Sequence, residues 1–136
     1  MKLIITTNKI IKSLILIPLF FTTLVLAEPI NVSKSEIGVI RSLKVYKFPR
    51  WISQITTSKD KKLYFSSAKS MFEFYFLFKK WPEFSVKTVD DMTEVLVTDF
   101  KTYDAINARS AYFVYGSNIT SIAGDDLVSF KNEYDA

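Results

Sequence analysis

The chain has 136 residues, with 18 basic and 14 acidic side chains, a net charge of +4, and neither His nor Cys. Without them there is no ordinary catalytic triad, no cysteine nucleophile and no imidazole base, so an enzyme is not expected; disulfides and lipid attachment through an N-terminal cysteine are excluded as well. Three of the basic residues, Lys2, Lys9 and Lys12, fall within the first 27 positions, where there is no acidic residue, so the remainder carries only +1 and lacks the clustered Lys and Arg that a nucleic-acid partner requires.

Those lysines precede an apolar run from Leu14 to Leu26 that ends on Val25-Leu26-Ala27, the order of a secretory signal peptide with small residues at the cleavage position. The run is interrupted by Pro18 and Thr22-Thr23 and is shorter than the ~20 residues of a membrane-spanning helix. Cleavage after Ala27 is expected, which makes residues 1–27 a signal peptide and the mature protein periplasmic and not lipid-anchored. Membrane contact is expected only through an uncleaved signal segment, which would hold the chain on the membrane without a full-length span.

Residues 28–42 form a polar leader, and residues 43–136 are short enough for a single domain with a modest core. Alternation over Trp51–Thr57 predicts a strand, Ser58-Lys59-Asp60-Lys61 a turn, and Lys62–Ser66 a second strand with Leu63 and Phe65 on one face. Ser67 stands at the N-cap of a helix over residues 68–80, in which Ala68, Met71, Phe72, Tyr75 and Phe78 recur at helical spacing and Pro82 ends the pattern. Phe74, Phe76 and Leu77 fill faces outside that stripe, so the helix wants cover on two sides.

Val95-Leu96-Val97 predicts a buried strand closing at Thr98-Asp99, residues 101–110 are mostly loop, and Ala111–Tyr115 is a further strand ended by Gly116-Ser117. After Gly124, Leu127, Val128 and Phe130 predict a last helix, with Asp125 or Asp126 at its positive N-terminal end. Asp99 and Asp104 read as turn residues, and adjacent Asp90 and Asp91 point apart and make a poor acid-base pair. Asn31-Val32-Ser33 and Asn118-Ile119-Thr120 match the pattern of glycosylation acceptors.

The blocks KFPRWISQI (47–55), LYFSSAKSMFEFYF (63–76), VTDF (97–100) and AYFVYGS (111–117) resemble, in order and spacing, those of the NosL family of nitrous-oxide reductase accessory proteins, over about residues 38–136. The resemblance implies an α+β fold, a two-layer domain of strand-strand-helix-strand units with the second one truncated. It further implies export, copper delivery for nitrous-oxide reductase assembly, and a periplasmic copper-relay protein of the same assembly system as partner. The family's Cys-x-x-Cys-Gly-Met element aligns its cysteines with Gly38 and Arg41 and its methionine with Leu43, and a further methionine aligns with Ala123, so all four implied copper ligands are replaced.

Ligand chemistry points the same way, because Cu(I) favours thiolate or thioether donors supplemented by imidazole. Beyond residue 27 the only soft donors are Met71 and Met92, and Met71 falls in the apolar stripe of the helix, where it reads as core. No metal site and no resident cofactor are therefore expected, Cu(I) entering by family resemblance alone. The competing reading is an interaction module without metal, or a degenerate remnant, in which Phe74, Phe76 and Trp81 serve either as core or as a partner contact.

Overall fold

The computed structural model describes residues 27–125 and 127–136. The basic start and apolar run of the expected signal peptide lie outside the described residues, as does Asp126. No helix among the described residues is long and apolar enough to cross a membrane.

Among the described residues six strands and one α-helix follow in the order β1 (Ser53–Thr57), β2 (Lys62–Phe65), α1 (Ala68–Leu77), β3 (Met92–Thr98), β4 (Ala105–Asn107), β5 (Tyr112–Val114) and β6 (Val128–Phe130). Strands β2-β1-β3-β4 form one antiparallel sheet and β5-β6 a second, two-stranded one, so the fold is α+β. The first strand-strand-helix-strand unit is β1-β2-α1-β3. Its turn at 58–60, its helix and its strands lie where alternation and helical spacing put them.

Strand alternation divides the large sheet cleanly. Ile55, Leu63, Phe65, Val95, Val97 and Ile106 face α1, where they bury Met71, Phe74 and Phe78. Phe74 lies at the centre of this layer, with ring centroids 5.6 Å from Phe65 and 5.7 Å from both Trp81 and Phe84. The helix ends after Leu77, tightens into a 3-10 turn over Phe78–Lys80, and yields to Pro82.

The opposite face carries Tyr64, Leu96 and Ala105, which pack with Ile30, Val32, Val45 and Ile52. Residues 28–45 therefore cross the sheet as a strap. The Ala105 amide donates to the Glu28 carbonyl at one edge of the sheet, and at the other edge the Val39 amide donates to the Tyr64 carbonyl, both at 2.9 Å.

The second half departs from the expected pattern in two elements. Residues 128–130 form a strand and not a helix. Val128 and Ser129 are buried, the alternating order suits a pleat, and three apolar positions are too few to nucleate a helix away from other support. Tertiary contacts fix this choice: β6 pairs with β5, the Ser129 hydroxyl donates to the Thr98 carbonyl at 2.6 Å, and the Phe100 amide donates to the Ser129 carbonyl at 2.9 Å.

Within the expected loop 101–110, Ala105–Asn107 joins the large sheet as β4. Asp99 does make the expected turn, accepting from the Lys101 and Thr102 amides at 2.8 and 3.0 Å. Its second oxygen accepts from the Lys131 amide at 2.7 Å, which ties the end of β6 to the end of β3.

Candidate functional site

Two loops meet over the N-terminus of α1. The first is the turn 38–43, closed by the Gly38 amide donating to the Leu43 carbonyl at 2.8 Å and the Ser42 amide to the Gly38 carbonyl at 3.1 Å. A Cβ at Gly38 would lie 3.2 Å from Val45 Cγ1, so a larger residue fits there only if Val45 gives by a few tenths of an ångström. The second is the turn 121–125, in which the Gly124 amide donates to the Ser121 carbonyl and Gly124 takes a left-handed φ of +79°.

Arg41 joins them. Its guanidinium lies 3.7 Å from the Asp125 carboxylate and 3.7 Å from that of Glu73 on α1. Asp125 is only 4% exposed, and its other oxygen accepts from the hydroxyls of Ser67 and Ser70, at 2.5 and 3.2 Å. Ser67 is the N-cap of α1, its hydroxyl accepting from the Ser70 amide at 3.0 Å. Asp125 thus places a carboxylate at a positive helix end, but at the start of α1 and not of a helix of its own.

Gly38, Arg41 and Leu43 share the first loop and Ala123 lies in the second, so the structure brings the four implied ligand positions onto two loops that an ion pair connects. The donor chemistry present does not fit Cu(I) there. The site holds a guanidinium, carboxylates and hydroxyls, hard or positively charged groups where soft donors are needed. Among the described residues no group of three or more His, Cys, Asp or Glu comes together as a metal site.

Met71 on α1 and Met92 at the start of β3 do reach one cluster. They are 0% and 1% exposed within the apolar layer between helix and sheet, surrounded by Ile55, Phe74 and Val95. Thioethers so placed fill core volume and offer no route to an incoming ion.

The three aromatic residues singled out as contacts are separated. Phe74 is wholly buried and Trp81 is half-buried against it, whereas Phe76 is 71% exposed, stacked on Phe72, which meets Phe113 of β5 edge-on. Glu73 and the Ser67/Ser70/Asp125 cluster were invisible to motif reading. Ser67 and Asp125 are 58 positions apart, and nothing local marks either as the other's partner.

The family model NosL matches residues 29–136. The crystal structure of the copper chaperone NosL from Shewanella denitrificans superposes with a TM-score of 0.65 at 25% identity, covering 81% of this chain and 83% of that one. No curated protein matches the chain.

Proposed function

Because the chain belongs to the NosL family, we propose that it is a periplasmic accessory protein of copper delivery for nitrous-oxide reductase assembly that carries no copper site of its own. It acts through its surface and not through reaction chemistry. A periplasmic copper-relay protein of the same assembly system is the partner this reading requires.

The observation that carries the reading is the Arg41–Asp125 pair. A guanidinium and a carboxylate join the two loops on which the resemblance expects thiolates and thioethers, and neither group offers Cu(I) a soft donor. The charge of the signal-like N-terminal segment and the absence of Cys support export without lipid attachment. Phe76, exposed on α1, remains available for contact with the relay protein.

An anaerobic Cu(I) titration of the natural protein against a competing chromogenic chelator tests this reading. The expected result is no transfer of copper to the protein at equimolar chelator. Stoichiometric capture would sink the reading and would direct attention to Met71 and Met92, whose replacement by Leu would then abolish binding. A Gly38→Cys, Arg41→Cys, Leu43→Met variant is expected to gain Cu(I) binding, provided Val45 yields the few tenths of an ångström that a Cβ at position 38 demands.

A further inference from the structure

We infer that Arg41 is a charge latch that holds the turn 121–125 closed against the start of α1. The inference goes beyond the proposed function and depends only on the geometry of the ion cluster. The turn 121–125 is short, carries a left-handed Gly124, and is held internally by the Ser121–Asp125 and Ser121–Gly124 hydrogen bonds. Asp125 then enters the protein as a buried carboxylate. Two hydroxyls solvate it, and Arg41 supplies the opposite charge.

Removing the charged partner from a buried carboxylate is costly, because the charge left behind has lost water and keeps only two hydroxyls in exchange. The turn then opens to rehydrate Asp125, and the N-cap loses the acceptor that orients the Ser67 hydroxyl. The Glu73 arm is different in kind. Its side chain is 38% exposed, so it steers the guanidinium but contributes little by itself. Both contacts run through the same Nη2 of Arg41, so a lysine at position 41 keeps the charge but brings it to the two carboxylates on a differently shaped, more flexible side chain.

Residue-resolved hydrogen exchange on the natural full-length protein and on Arg41→Gln, Arg41→Lys and Glu73→Gln tests the latch. In Arg41→Gln the amides of Ser121, Gly124, Asp125 and Ser70 are expected to exchange about tenfold faster or more, while those of β1 and β3 keep their rates. Arg41→Lys recovers part of the protection and Glu73→Gln loses little. Unchanged exchange at 121–125 in Arg41→Gln overturns the latch, and so does a uniform rise across the sheet, which would make Arg41 a general stabiliser. If Arg41→Gln does not fold, Arg41→Lys decides the matter: exchange at 121–125 that is retained or selectively loosened supports the latch, and loosening spread evenly across the sheet overturns it.

Discussion

The large sheet with α1 and the β5-β6 pair solve the same problem by different means. Between β1, β2, β3 and α1, an apolar layer including Ile55, Phe65, Met71, Phe74, Val95 and Val97 is almost wholly removed from water. The β5-β6 pair has little such volume: Phe113 leans on Phe72, Phe130 meets Phe100 edge-on at 6.2 Å, and Val128 is its one fully buried apolar residue. Its attachment is polar, through Asp99 to Lys131, Ser129 to Thr98 and Asp125 to Ser67. Apolar burial is additive and tolerant of position, whereas polar stitching concentrates an element's attachment in a few directed bonds. The second region should therefore come loose at single atoms, and the first only when volume is lost.

Truncating Phe74 is the severest way to test this. Phe74→Ala should cost about 3–5 kcal/mol of unfolding free energy in chemical denaturation, because three neighbouring aromatic rings cannot collapse into the space. Asp99→Ala should cost about 2–3 kcal/mol, since it leaves three amide donors without their charged acceptor. Its loss should also be regional. Hydrogen exchange should rise first in β6, and an equal rise in β1 would erase the proposed contrast between the regions.

Ser67→Ala removes a helix cap and one of the two hydroxyls that solvate buried Asp125, and should cost about 2 kcal/mol, with a matching fall in midpoint and an unchanged denaturant slope. Asp91 gives a smaller, pH-dependent effect. Amides of Lys87 and Thr88 donate to its carboxylate and hold its pKa below the usual 3.8, so its contribution is complete above the unfolded value and fades as pH falls through the lowered one. The difference in Tm between the natural protein and Asp91→Asn should accordingly be present at neutral pH and disappear in acid. At the bottom of the scale, the Lys101–Asp135 pair is solvent-screened. Although each partner shifts the other's pKa, Lys101→Ala should leave Tm unchanged within error; a clear fall would show that exposed stitching also holds the C-terminal turn.

Local signals made the first unit legible. Alternation, a turn rich in Lys and Asp, a serine N-cap and a proline stop each act within a few residues, and together they describe β1, β2 and α1. Phe74 is harder to place, because helical spacing alone assigns it to a second face; in the fold it packs against the rings of Phe65, Trp81 and Phe84. Leu127-Val128-Ser129-Phe130 has no decisive period, and its strand identity comes from Tyr112–Val114 and Thr98, which lie well outside its own stretch of chain. The implied ligand positions could be counted by register from Trp51. That Arg41 is no mere vacancy-filler but reaches Asp125 and Glu73 follows from a turn and a helix face that only the folded chain brings together.

The strap of residues 28–45 also governs how this sheet meets other sheets. A four-stranded sheet has two rims, here β2 and β4, and an open rim invites recruitment of foreign strands and stacking into aggregates. Glu28 occupies a hydrogen-bonding position on the β4 rim and Val39 one on the β2 rim, so one segment guards both. Damage to that segment would bare two adhesive borders at once, turning a loss of a few bonds into a change in colloidal behaviour.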